Sequence, residues 1–176
     1  MKTAAFLIAS LFSGAFASAA DPINIGSRRE LFVDQFLIDK LNGTHLQLHT
    51  PRDEGIAFKF DAPWEGGFSG YVSIVRIGDK LRAYYRGKPV ANKDGSDDEV
   101  TCCADSDDGI HWTRPDVGAY EVQGTRKNNV VLMKAQQVTH NFSPFLDSKP
   151  GVADAERFKA FGGTMQGGGL MAYKST

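Results

Sequence analysis

Hydrophobic and polar residues alternate along this chain over short stretches separated by glycine-rich turns, the patterning of strands and not of helices. Residues 31–38 (LFVDQFLI) predict a strand, Asn42-Gly43 a tight turn, and residues 44–49 (THLQLH) the return strand of a hairpin. Residues 70–77 (GYVSIVRI) predict an inner strand that turns at Gly78-Asp79 into residues 80–86 (KLRAYYR), whose aromatics suit a half-buried strand. Residues 90–99 read as a loop of Asn, Lys, Asp, Gly and Ser, too polar to bury. Residues 100–106 (VTCCADS) predict a third strand, Asp107-Asp108-Gly109 a turn, and residues 128–132 (NNVVL) a further short strand. A second set begins with an inner strand around residues 140–147 (HNFSPFLD), with a loop and one helical turn at 150–156.

The two sets look like copies of one unit. GDKLRAYYRG (78–87) followed by VTCCADSDDGIHW (100–112) is matched by AERFKAFGGT (155–164) followed by GGGLMAYKST (167–176). Leu81-Arg82-Ala83-Tyr84 aligns with Phe158-Lys159-Ala160-Phe161, Cys103-Ala104 with Met171-Ala172, and Ser106 with Ser175. Repeats of a few short strands are how β-propellers are written. The expectation is an all-β chain carrying only the first blades of a larger propeller. Residues 21–62 are the hairpin and lead-in, 63–138 the first blade and 139–176 a truncated second blade.

Composition adds an expected address and removes some partners. Met1-Lys2-Thr3, an apolar run over residues 4–16 and Ala17-Ser18-Ala19-Ala20 predict a signal peptide over residues 1–20, hence a secreted or periplasmic protein. The run is too short to span a bilayer, so no membrane anchor is expected after cleavage. Twenty Lys and Arg against 21 Asp and Glu give a net charge of -1, with the signs interspersed, which argues against nucleic acid as a partner. The two cysteines, Cys102 and Cys103, are adjacent, point to opposite faces of a strand, and read as packing residues. No His/Cys cluster has ligand spacing, and the acidic loop at 94–99 lacks an EF-hand pattern, so neither a metal nor a cofactor is expected.

SDDGIHW (106–112) resembles the blade signature of the five-bladed propeller glycosidases, the invertase and fructanase families and the arabinanase-like families among them. The longer pattern is similar to secreted bacterial proteins with an invertase-like N-terminal propeller domain. ELFVDQFLI (30–38), PWEGGFSGY (63–71), YYRG (84–87), HNFSPFLD (140–147) and ERFKAFGGT (156–164) carry that likeness. Within the signature, Asp108, Gly109 and Trp112 read as scaffold, because Asp-Gly closes a tight turn.

The resemblance implies a five-bladed β-propeller of glycoside hydrolase-like type, acting on an oligo- or polysaccharide through carboxylates on the inner strands. Such hydrolysis needs two carboxyl groups, roughly 5–5.5 Å apart for retention and 6.5–9.5 Å for inversion. Aligned with the invertase pattern, however, Ser69 stands at the nucleophile's place and Ser143 at that of the second acid. The chain departs from the family there, which brings forward an alternative, a non-catalytic carbohydrate-binding propeller.

Substitute candidates are present. Glu65, beside Trp64 and flanked by glycines, suits an acid and a sugar-stacking ring at a pocket rim, or a structural pair. Asp147 is a candidate acid or a turn cap before Ser148-Lys149-Pro150. His140 is a candidate acid/base or a structural histidine. Asn141, Tyr71 and Arg86 are candidate sugar contacts. Asp34, in an otherwise apolar strand, is expected to pair with Arg28, Arg29 or Arg86.

Overall fold

The computed structural model describes residues 21–135 and 137–175, and the expected signal peptide lies outside them. The chain divides into two compact units, residues 1–52 and 53–176.

In the first unit the expected hairpin is not formed. The described residues 21–52 hold turns and bends but no strand. Leu31, Phe32, Val33, Phe36 and Leu48 are exposed. A two-stranded hairpin is marginal in water without a third strand or a helix to cover its apolar face. Asp34 pairs with none of the expected arginines. Its Oδ1 accepts a hydrogen bond from the Phe36 backbone N–H at 2.9 Å, capping a local turn.

The second unit is built from antiparallel sheets with almost no helix. One sheet runs β1 (Gly70–Ile77), β2 (Lys80–Gly87), β3 (Val100–Ser106) and β4 (Val130–Met133) in that spatial order. After a single helical turn, α1 (Gln137–Asn141), a second sheet runs β5 (Ser143–Leu146), β6 (Phe158–Gly162) and β7 (Met171–Lys174). The second inner strand therefore starts at Ser143, and His140 and Asn141 sit on the helical turn before it. Among the described residues no helix is long and apolar enough to cross a membrane.

Pleat alternation explains the core. Tyr85, Cys102 and Val130 are register partners across β2, β3 and β4, so their side chains line one row on one face. Val100, Ala104 and Val122 join that buried row, and Phe58, Phe60, Trp64, Trp112, Tyr120 and Met133 pack against it. Burying each large apolar side chain contributes about 1.5–3 kcal/mol. The opposite face, with Tyr84, Arg86, Thr101 and Cys103, looks toward α1, and Tyr84 meets Phe142, just before β5, edge-on with ring centroids 6.4 Å apart.

The signature at 106–112 is scaffold. Ser106 Oγ accepts from the Gly109 N–H at 2.8 Å, and Asp108 Oδ1 accepts from the N–H groups of Ile110 and His111, each at 2.8 Å. Gly109 takes φ +80°, which a side chain would disfavour. Trp112 Nε1 donates to the Gly109 carbonyl at 3.0 Å.

The repeat is present with one slip. Tyr84 pairs with Cys103 in the first sheet, and its counterpart Phe161 pairs with Ala172 in the second. Cys103 thus corresponds to Ala172, one residue from the alignment expected from sequence. The match of Ser106 with Ser175 holds, since Leu81 pairs with Ser106 and the Ser175 N–H donates to the Phe158 carbonyl at 2.8 Å.

Candidate functional site

Glu65 lies in the interior, not at a rim, with 2% of its surface exposed. Gly66 sets this entry at φ +144°, where a Cβ would stand 2.9 Å from Pro89 Cα. The Glu65 carboxylate accepts from Tyr85 Oη at 2.6 Å, from Arg114 at 3.0 and 2.6 Å, and from the Ala62 N–H at 3.0 Å. A carboxylate offers about four lone-pair sites, and these are filled. Burial, and then the bond to Glu65, push the Tyr85 hydroxyl well above its ordinary pKa. Trp64 is likewise committed. Its indole N–H donates to Asn129 Oδ1 at 2.8 Å, and its ring packs on the core.

Asp147 is placed beyond the end of β5, where Oδ1 accepts from the Lys149 N–H at 3.0 Å and Oδ2 from Lys159 Nζ at 2.5 Å. The lysine, and then the turn bond, hold its carboxyl below the ordinary range. Asn141 spends its amide on the Gly163 backbone, donating to the carbonyl at 2.7 Å and accepting from the N–H at 2.8 Å. Ser69 Oγ accepts from the N–H groups of Gly66 and Lys88, and Ser143 Oγ donates to the Asn141 carbonyl.

Three candidates do come together. A bulge between Gly70 and Ser73 breaks the β1–β2 ladder, and within it Tyr71 adopts φ +53°, a region that a bulky residue rarely occupies. Tyr71 is 53% exposed. Arg86 Cζ stands 4.6 Å over its centroid, and the His140 ring lies 5.3 Å away. Tyr71, Arg86 and His140 thereby form one junction between β1, β2 and α1.

Beneath that junction is a buried charged cluster. Gly87 pairs with Val100, so the next step outward sets Lys88 against Glu99. Lys88 Nζ donates to Glu99 Oε1, to the Lys93 carbonyl at 3.2 Å and to the Asn92 carbonyl at 3.4 Å. Glu99 is fully buried, so the loop judged too polar to bury is tethered from inside by this pair. Asp94, Glu99 and His140 bring donor atoms within 4.8 Å of one another. The ammonium of Lys88 already stands among them, 3.9 Å from Asp94, and supplies the positive charge.

His140 Nδ1 lies 3.0 Å from Arg86 Nη1 and 3.2 and 3.3 Å from the two Glu99 oxygens. A guanidinium only donates and a carboxylate only accepts. Bare Nδ1 therefore accepts from Arg86, and protonated Nδ1 donates to Glu99.

Sequence reasoning missed Lys88, Glu99, Asn129 and Arg114. The β2–β3 register, read one residue past the strand ends, exposes the first two. Asn129 is legible only in three dimensions, because it donates to both Tyr85 Oη and the Cys103 carbonyl at 2.7 Å while accepting from Trp64.

No family model matches this chain, and neither a curated protein nor a solved structure matches it.

Proposed function

We propose that this chain is an exported, propeller-type protein that binds an oligo- or polysaccharide at the Tyr71–Arg86–His140 junction, without hydrolysing it. The observation that carries this reading is the half-exposed Tyr71, whose backbone is held at φ +53° and whose ring lies against Arg86 and His140. Backbone strain at a non-glycine residue persists where the surroundings impose it, and it clusters at ligand sites. An exposed aromatic face with polar donors beside it suits a sugar, which has an apolar C–H face and a rim of hydroxyls. The propeller reading draws support from two consecutive antiparallel sheets of related register whose inner strands, β1 and β5, lie against each other.

Binding is preferred to hydrolysis because the candidate acids are spent. Glu65 is saturated inside the core and Asp147 is held by Lys159 and a turn bond. One observation favours a hydrolytic second reading. Asp94 is exposed and stands 3.7 Å from His140 Nδ1, beside the same junction.

A glycan panel assayed for both binding and released product separates the two. Retention without product that is lost in Tyr71→Ala is the expected result. Product whose release disappears in Asp94→Asn favours hydrolysis, and retention of no glycan overturns both. Export is tested by the N-terminal sequence of the mature protein, expected to begin near Ala20 or Asp21.

A further inference from the structure

We infer that the junction selects saccharides bearing a carboxylate, that is, uronic-acid units, an inference that rests on the carbohydrate reading above. Its basis is the unbalanced charge of Arg86. Arg82, Arg114 and Arg157 each bond a carboxylate in this fold. Arg86 instead donates from Nε and Nη2 to the Phe68 carbonyl, at 3.1 and 2.7 Å, and lies beside His140 and the Tyr71 ring. Among the described residues no carboxylate forms an ion pair with it.

The acids nearby are already answered. Lys88 Nζ and the Gly95 N–H bind Glu99, and Lys88 also lies 3.9 Å from Asp94. A guanidinium has five N–H donors. The Phe68 carbonyl takes two and His140 faces a third. Two remain, one on each terminal nitrogen.

Arginine matches carboxylate geometry with paired donors, and such charge-assisted bonds are stronger than neutral ones. Tyr71 adds the stacking surface for the ring that bears the carboxylate. Arg86 covers one part of Tyr71, and the exposed remainder of that side chain is open to the ligand. The saccharide's carboxylate thus supplies the counter-charge that the protein withholds from Arg86, and its sugar ring meets Tyr71.

The test is calorimetric titration of the full chain with a panel of uronate oligosaccharides, the same compounds as carboxyl methyl esters, and neutral oligosaccharides of equal length. Esterification removes the charge and leaves the sugar and the protein intact. The acids are expected to bind about tenfold to a hundredfold more tightly than their esters. Raising the salt concentration is expected to narrow that ratio. Arg86→Gln is expected to bring it toward one, provided that its circular dichroism and unfolding midpoint show a folded chain. Equal binding of acid and ester by the unmodified protein overturns the inference and leaves the carbohydrate reading standing. Binding of no oligosaccharide at all overturns that reading as well.

Discussion

Arg82 and Asp105 are register partners on β2 and β3, and the guanidinium holds the carboxylate through two hydrogen bonds of 2.6 and 2.8 Å. The corresponding places in the second sheet are taken by Lys159 and Lys174, which are register partners on β6 and β7. Like charges directly opposite one another are unfavourable. Each lysine turns to a different acid, Lys159 to Asp147 and Lys174 to Glu156. The repeat preserves the strands and changes the wiring of the charges.

The Arg82–Asp105 pair makes stability depend on acid. The hydrogen bond from Arg82 holds the Asp105 carboxyl below the ordinary range. A folded value below the unfolded one gives stabilisation that is complete well above pH ~4 and is lost as pH falls through the folded value. Both side chains are about a third exposed, so the pair contributes about 1 kcal/mol or less. Urea unfolding at neutral pH is expected to show Asp105→Asn less stable by that amount, with the gap closing at about pH 2. A gap of the same size at both pH values contradicts this.

Removing Arg114 strands the Glu65 carboxylate in the core, with Tyr85 and the Ala62 N–H as its remaining donors. Breaking one side of a buried pair costs about 3–5 kcal/mol. Arg114→Met is expected to destabilise by that order in equilibrium unfolding. The Glu65→Gln, Arg114→Met double variant is expected to lose less than the sum of the single changes. Additive losses contradict the pairing.

The adjacent thiols are packing groups. Burial pushes the Cys103 thiol up to about 11 and the Cys102 thiol higher still. The thiolate is the reactive form. At pH 8 a thiol reagent is expected to leave both unmodified in the native protein and to modify both in denaturant. Fast native labelling of either one contradicts the buried placement.

The sequence made much of the first sheet legible, and the reasons are local. Gly78-Asp79 marks the β1–β2 turn, alternation marks β2, and β3 begins and ends where VTCCADS does. Residues 31–38 carry equally good strand patterning yet form none, because patterning describes what a segment can cover and not whether a sheet is there to be covered. Tyr71, Arg86 and His140 were legible as residue types. Their meeting was not, because it depends on a bulge in β1 and a helical turn at Gln137–Asn141 that alternation does not encode. Glu65 and Glu99 misled for a common reason: polar residues flanked by glycines or other polar residues read as surface, and here ion pairs with half-buried Arg114 and buried Lys88 hold both inside.

Tyr71→Gly tests the account most directly. Glycine adopts φ +53° without the side-chain penalty, so the backbone strain is relieved while the ring is removed. Unfolding free energy and saccharide affinity are measured on the same variant. The account predicts stability within about 1 kcal/mol of the parent, or above it, together with loss of saccharide binding. A variant that keeps its affinity, or that binds nothing because it no longer folds, contradicts the assignment of Tyr71 as a strained residue held in place for its ligand.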